Sequence, residues 1–502
     1  MSKIPSKDIN NEYRNILAEE CIESLDQIVT ADGNVQWTLD DHQREAMEAV
    51  VYALADGRRR FSVVHPGGSG KTVLEAAIIQ ASQRAKQKLD NGLENTQDIV
   101  LAVERSLMGS LREHIAALGV DVGVWGHGKK TLDRPVVVTS IQALQTNKRN
   151  LHRLIDPTNI ALVLGDEADK FLTEERQKIL NIFANAQRIG FTATPEWPDG
   201  RHIEDAWGEI IHRVTLREGI KSGINVPPLY TLFEADFNTD DLALEEEDFE
   251  RKSLEAAMKA IEIELAIPQV YEAIVPANHR KEWPTMVFVP SVATVERVVE
   301  TLRKTYPDLN ITSWTGEITD GRLQQEISAF NNGGVDILVL CEMGGRGLNL
   351  PRARAMIDAY PTLSPNKLEQ RHARVLRKIR LGSRLHQLGV KKPFAHIAQI
   401  MPKSNTFRPR TFLDLMNCWD EYQPGKLLTF NPHGASGGED GPPLQDEVSQ
   451  IVENIKQHPL KCNVTMLEEV DVLREIRLRE DLPMADEEGF IYLDDEDEKT
   501  GK

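Results

Sequence analysis

One run of residues constrains this chain more than any other: Phe61-Ser-Val-Val-His-Pro-Gly-Gly-Ser-Gly-Lys-Thr72. Phe61 to His65 is apolar and β-branched, which suits a short buried strand. Gly67, Gly68, Ser69 and Gly70 form a turn, and Val73 to Lys86 holds neither Gly nor Pro, so it reads as a helix. Strand, glycine-rich turn and helix N-terminus together make a cradle for phosphate. Backbone N–H groups converge on the anion, Lys71 reaches the outer phosphates, and the Thr72 hydroxyl can hold Mg²⁺. The pattern G-x-x-x-x-G-K-S/T is met except at His65, which stands where its first glycine belongs.

A chain of 502 residues has room for two or three domains, and 27% charged with 40% hydrophobic residues is an ordinary soluble composition. No apolar run reaches the roughly 18 residues of a membrane span, and the first residues lack a signal-peptide core. Cys21, Cys341, Cys418 and Cys462 form no C-x-x-C pair, so neither a zinc site nor a disulfide framework is indicated. An intracellular, cytoplasmic protein without a membrane partner is expected. The net charge of −19 is unevenly spread. Residues 234–250 hold nine acids and no base, residues 481–502 nine acids and two bases, and residues 371–410 eleven Lys or Arg and no acid. The body is near neutral, with a basic region and two acidic segments.

Asn11 to Val29 has helical spacing of apolar residues, and Asp32-Gly33-Asn34 breaks it. In the helix that precedes the phosphate loop, Gln43 is a candidate base reader, because its amide can pair with both donor and acceptor of adenine. Asp98–Val103, Pro135–Thr139, Ile160–Asp166 and Arg188–Thr192 are strand-like and alternate with helical stretches. That order indicates a doubly wound parallel sheet, whose ligands lie at the carboxyl ends of the strands. Asp166 and Glu167 fall at such an end. Asp166 is placed to hold Mg²⁺ through water, and Glu167 to orient and deprotonate an attacking water. Thr139, Ser140 and the 103–105 end fall nearby, as candidate contacts to a nucleic-acid backbone, and Thr192 and Thr194 end a further strand.

With these residues in place, the chain resembles the superfamily 2 nucleic-acid helicases and translocases. The resemblance rests on Pro66–Thr72 as motif I, Asp166-Glu-Ala-Asp169 as motif II and Thr192-Ala-Thr194 as motif III. Leu216-Arg-Glu-Gly-Ile-Lys-Ser-Gly-Ile-Asn-Val-Pro227 is similar to the exit from the first motor domain in the branch of restriction motors and DNA-repair translocases. The aromatic-Q motif of DEAD-box RNA helicases is missing. The resemblance implies a second α/β domain, and Thr285–Val289, Asn310–Trp314, Asp336–Cys341, Ala355–Ala359 and Ala395–Ile400 are strand-like. Cys341–Pro351 resembles motif V, with Gly347 in place but Asn349 where Asp is usual. Glu369–Arg377 resembles motif VI, Q-x-x-G-R-x-x-R, with Ala373 in place of Gly. Gln370 would then contact ATP, and Arg374 and Arg377 would reach the γ-phosphate across a cleft. Thr192, Thr194, Gly347 and Asn349 would couple hydrolysis to nucleic acid.

The expected fold is α/β: two RecA-like doubly wound parallel-sheet lobes with the ATP site in the cleft, plus small helical extensions. The expected divisions are an N-terminal helical extension (1–35), an ATP-binding lobe (36–230), an acidic and helical connection (231–275), a second lobe (276–430) and a tail (431–502). Within the tail, 431–443 has linker composition, while Leu444–His458 and Met466–Leu478 have helical spacing. The expected function is an ATP- and Mg²⁺-dependent helicase or translocase, acting on DNA in preference to RNA. The acidic tail is a candidate surface for a protein partner. Three alternatives stay open: an RNA helicase or remodeller, a duplex translocase that does not unwind, and an ATPase subunit of a restriction or defence assembly.

Overall fold

The computed structural model describes residues 8–30, 33–89, 96–102, 105–126, 128–147, 151–197, 200–245, 248–315, 320–341, 348–380, 383–404, 406–416 and 464–470. The expected 431–443 linker, the Leu444–His458 helix and the acidic end lie outside them.

The first lobe is built on an eight-stranded sheet. In spatial order its strands are Ile210–Arg213, Arg60–Val64, Gln187–Thr192, Ile160–Asp166, Gln97–Ala102, Val136–Ser140, Val122–Gly126 and Lys129–Lys130. All pair in parallel except the last. Successive side chains of a strand point to opposite faces, and the cores follow that alternation. Val100, Ala102, Val136, Val138, Leu162 and Leu164 pack with helices Asp41–Ala55, Lys71–Lys88 and Arg105–Ala117. Ile99, Leu101, Val137 and Val163 enter the core on the other face. Two covered faces explain why these strands read as unbroken apolar runs.

Trp207 shapes the centre of this sheet. A methyl built on Gly190 would stand 2.7 Å from Trp207 Cγ, and one on Gly165 would also strike the indole. The indole N–H donates to the Ala168 carbonyl at 3.1 Å. The strand that ends at Asp166 and the segment just after it are thus pinned by one tryptophan.

The second lobe has a seven-stranded sheet in the order Ile311–Trp314, Ile337–Leu340, Thr285–Phe288, Ala355–Asp358, Ala395–Lys403, Pro228–Asn238 and Val464–Val470. The parallel strands again feed two cores.

Several segments differ from the sequence reading. The N-terminal helix stops at Ile22, and Ile28–Val29 pairs with Val35–Trp37 instead of continuing it. The helix packs on its neighbour, as an extension of this kind is expected to. Tyr13, Leu17 and Cys21 are buried in the first lobe's core, and the buried Glu20 carboxylate pairs with Arg84. The stretch expected as a connection from 231 to 275 is built into the second lobe. Pro228–Asn238 runs parallel to Ala395–Lys403, and helix Ile263–Ile274 buries Ile267, Val270 and Ile274 in the same core as Val287 and Val339. The acidity of 234–250 hid this, because Glu234, Asp236, Asp240 and Asp248 face bases and backbone of the second lobe. Asp248 accepts from Thr362 Oγ1 (2.7 Å), Leu363 N (2.8 Å) and Lys367 Nζ (2.8 Å), while Lys403 pairs with Asp236 at 3.0 Å. Val464–Val470 is a strand antiparallel to Pro228–Asn238, not part of a helix. Its apolar residues fit either period, and pairing to an open sheet edge decides for strand.

Candidate nucleotide and nucleic-acid site

The two sheets bring their site-bearing ends to one cleft of about 590 Å³. The first lobe contributes Gly67, Gly68, Gly70, Lys71, Thr72, Asp166 and Glu167 to its wall; the second contributes Asn349, Glu369, Gln370, Ala373, Arg374 and Arg377. Residues from both lobes, widely separated in sequence, therefore face one another.

The phosphate loop owes its shape to glycines at the required places. Gly68 and Gly70 have φ of +89° and +87°, which L side chains rarely adopt. His65 carries no such demand and ends a strand. Its N–H donates to the Thr192 carbonyl at 2.9 Å, and its ring nitrogen Nε2 meets His212 Nδ1 at 2.8 Å. The position thus accepts a histidine where the motif has glycine. Burial, with His212 beside it, holds this imidazole down to about 2, so it is neutral. His42 Nε2 lies 2.8 Å from the Ser69 carbonyl. Three histidines therefore support the loop from beneath, a feature invisible in sequence because His42 and His212 lie far apart in the chain.

Gln43 is also drawn to the loop. Its Nε2 donates to the carbonyls of Ser69 (3.1 Å) and Gly70 (3.2 Å), and its Oε1 accepts the Asp40 N–H at 2.9 Å. In this structure the amide serves as a latch on the phosphate loop, instead of standing free to read a base. Lys71 Nζ donates to the carbonyls of His65 (2.8 Å) and Pro66 (3.3 Å), at the base of the same loop.

Asp166 and Glu167 sit opposite Lys71 at the end of their strand. The Glu167 N–H donates to Asp166 Oδ1 at 3.0 Å, and Glu167 adopts φ 50°, a left-handed backbone that turns the chain sharply there. Burial, then the Glu167 charge, pushes Asp166 up to about 7. Glu75, one turn beyond Lys71, is fully buried, and neither carboxylate oxygen has a hydrogen-bond partner. Burial and the nearby Asp166 raise it well above the usual carboxylate range. Glu167 Oε2 is likewise buried and unpartnered. Thr72, Asp166 and Glu167 line the same cleft and carry oxygen donors of the kind a hard divalent cation takes, although among the described residues no group of three or more acidic, His or Cys side chains converges on one point.

From the other side, helix Pro365–Val375 and the turn after it present motif VI. Buried Asp358 anchors that helix to the second sheet through His372 Nε2 (2.9 Å) and Arg371 (3.3 Å). Ala373 lies against Gly67, where a methyl on the glycine would stand 2.7 Å from Ala373 Cβ; the departure from Gly at 373 is matched by the absence of a side chain at 67. Arg377 lies over Gly68 and donates to Asn349 Oδ1 at 3.1 Å. Asn349, where the family pattern has Asp, offers Arg377 a neutral acceptor, and the opposing charge nearby is that of Glu167. Burial, with Arg374 adjacent, lowers Arg377 to about 9. The Arg380 guanidinium and the Gln43 amide both close on Gly70, where neither would leave room for a methyl. Glu369, half-buried in the wall, is pushed up to about 7, chiefly by desolvation.

Not every candidate reaches the cleft. Thr139 is fully buried and donates to the Trp125 carbonyl at 3.0 Å; Ser140 caps helix Ile141–Thr146 by accepting the Ala143 N–H at 3.2 Å. In this structure both hydroxyls have partners within the fold, and neither residue lines the cleft. Thr192 and Thr194 are buried as well, but join motif II: Thr192 Oγ1 donates to Asp169 Oδ1 at 2.8 Å and accepts the Thr194 N–H at 3.1 Å. Gly347 and residues 103–104 lie outside the described residues.

Two family models match in the same order as the two lobes. "Type III restriction enzyme, res subunit" covers residues 36–197, and "Helicase conserved C-terminal domain" covers residues 266–378. The chain belongs to the superfamily 2 helicases, in their restriction-motor branch. This superfamily 2 chain is 25% identical over 353 residues to IRC3 of Saccharomyces cerevisiae, provisionally named an ATP-dependent helicase. The match covers 68% of the chain and 49% of IRC3. A type I restriction enzyme endonuclease subunit of Staphylococcus aureus strain MSSA476 is 27% identical over 216 residues, covering 39% of the chain and 22% of that subunit. The chain thus spans half or less of the length of these relatives. Among solved structures, a fragment provisionally assigned as the HsdR subunit of a type I restriction enzyme from Vibrio vulnificus superposes with TM-score 0.53 at 18% identity. That likeness covers 74% of this chain and 70% of the fragment, and it shows a shared fold. Among the described residues, no helix is long and apolar enough to cross a membrane.

Proposed function

We propose that this chain is an ATP-driven motor acting on nucleic acid, DNA in preference to RNA. One observation carries the reading: Lys71, Thr72, Asp166 and Glu167 of one lobe face Gln370, Arg374 and Arg377 of the other across a single cleft. Lys71 and the loop N–H groups would bind the phosphates of ATP, and Glu167 would align and deprotonate the attacking water. Arg374 and Arg377 would offset the charge that grows on the transferred phosphoryl group. Thr72 and Asp166 would hold Mg²⁺, which when bound supplies charge neutralisation at the phosphates. Hydrolysis would alter how the lobes close, and the Thr192–Asp169 bond would carry that change toward nucleic acid. The pairing of Pro228–Asn238 in the second sheet supports placing the lobe boundary near residue 227.

Nucleic acid would be held mainly through its phosphates, so affinity should fall steeply with salt. DNA is favoured because Leu216–Pro227 resembles the exit from the first motor domain in restriction motors and DNA-repair translocases. The restriction-subunit relatives, and the partial span of the chain along them, support a second reading, an ATPase subunit of a larger restriction-type assembly. ATPase activity measured with single-stranded DNA, duplex DNA and RNA, beside Lys71→Ala, tests the proposal. Stimulation by DNA that vanishes in the variant is expected. Activity that no polynucleotide stimulates would overturn it, and copurifying subunits would favour the second reading.

A further inference from the structure

The side chain of Asn225 touches both halves of the site at once. It lies between the lobes, after helix Leu216–Lys221, and is 1% exposed. Its Nδ2 donates to the Gly67 carbonyl at 3.0 Å and to the Leu376 carbonyl at 3.4 Å. Gly67 opens the phosphate loop; Leu376 directly precedes Arg377. The backbone repeats the link, with the Val226 N–H donating to the same Leu376 carbonyl at 2.9 Å and an isolated bridge joining Asn225 to Arg377.

Chemistry fixes the direction of the amide. Both partners are carbonyl oxygens, so only the nitrogen end, with its two N–H groups, can face them. Oδ1 is then turned inward and is buried without a partner. It packs on Gly219, where an added methyl would stand 2.7 Å from it. A buried, unsatisfied acceptor costs stability and calls for a reason. An apolar residue of similar size would avoid that cost but could not bridge the two carbonyls. At the opposite end of the motif VI helix a second amide does similar work: Asn366 Nδ2 donates to the Glu196 carbonyl of the first lobe at 2.6 Å. The helix bearing Arg374 is therefore moored to the first lobe at both ends by asparagines on main-chain carbonyls.

We propose that Asn225 is a positioning residue that sets Arg377 against the phosphate loop, tying Gly67 to the Leu376–Arg377 backbone beside the direct contacts that Ala373 and Arg377 make with the loop. The inference rests on the ATP-site reading above. Asn225 would touch no nucleotide; it acts through Gly67 and Leu376. Its loss should therefore slow turnover while leaving nucleotide binding almost intact, and it should matter only while Arg377 is present.

The test is a double-mutant cycle of Asn225→Leu with Arg377→Ala, reading kcat at saturating ATP and polynucleotide, nucleotide Kd, and Tm. Asn225→Leu alone should lower kcat about tenfold, the scale of one lost positioning hydrogen bond, with Kd changed less than about twofold. In the Arg377→Ala background the same substitution should have little further effect on kcat. Asn225→Ala, which removes the donor without burying a charge or a branched side chain, serves if the leucine variant does not fold, with the same expectations. An unchanged kcat, or equal losses in both backgrounds, would overturn the proposal. If the wild-type chain itself hydrolyses no ATP, the functional reading fails instead.

Discussion

Thr192 donates its hydroxyl to Asp169 Oδ1 at 2.8 Å, joining the end of one central strand to the last residue of Asp166-Glu-Ala-Asp169. Asp169 is fully buried and its other oxygen pairs with Lys170 at 2.8 Å. Thr192→Val removes one of these supports while keeping the side chain's shape. We expect it to cost about 1–3 kcal/mol in stability. ATP turnover should persist, but strand displacement or translocation per ATP should fall. Loss of both activities in proportion would show that the bond serves the ATP site alone.

The glycines under Trp207 give a stability test independent of any activity. Gly190→Ala places a methyl 2.7 Å from Trp207 Cγ and 3.0 Å from Ala168 Cβ. Overpacking of this kind should destabilise by about 1–3 kcal/mol in urea unfolding. Gly109, within helix Arg105–Ala117, has nothing within 4 Å of the added methyl. Gly109→Ala should stabilise, by about 0.5–1 kcal/mol. Equal effects at the two sites would contradict the packing described here.

Glu369 titrates where stability can report it. Its folded value, about 7, lies above the ordinary 4.5, so the folded protein holds this proton more tightly than the unfolded chain. Stability from this group is present below about pH 4.5, declines as pH rises toward 7, and levels off above. Without nucleotide, Tm should therefore fall more between pH 5 and pH 7.5 in the wild type than in Glu369→Gln. Parallel pH profiles would show that the carboxyl is not buried against the cleft.

The strand Val464–Val470 covers the edge at Pro228–Asn238. A chain ending at residue 470 should keep the Tm of the full protein. One ending at 443 should lose several degrees and aggregate more readily, because an unpaired edge strand is exposed. Matching thermal scans for the two truncations would argue against this pairing.

The legible parts of the molecule were those where local pattern and global role agree. Phe61–Val64, Ile160–Asp166 and Gln187–Thr192 are largely apolar on both faces, and each ends in or leads into polar residues that the cleft or its support uses. Pro228–Asn238 was not legible, because a strand that carries Glu234 and Asp236 and runs into an acidic stretch reads as a linker until its basic partner, Lys403, is known. Thr139 and Ser140 stand at a strand end where ligands often bind, yet internal acceptors and a helix N-terminus take their hydroxyls. Nothing in sequence announces the meeting of His42, His65 and His212, or the reach of Asn225 to both lobes. Those contacts join segments that only the folded sheets bring together.

On the proposed reading, residues of the second lobe complete the ATP site of the first, and Arg374 is the side chain through which this can be measured. It lies 208 residues from Asp166 in sequence yet lines the same cleft. Arg374→Ala should be measured by steady-state ATPase at saturating polynucleotide, beside a nucleotide-binding titration. Turnover should fall by about a hundredfold or more while nucleotide Kd changes little, and Arg374→Lys should restore only part of it, lacking the planar fork. Normal turnover under those conditions would contradict the two-lobed site.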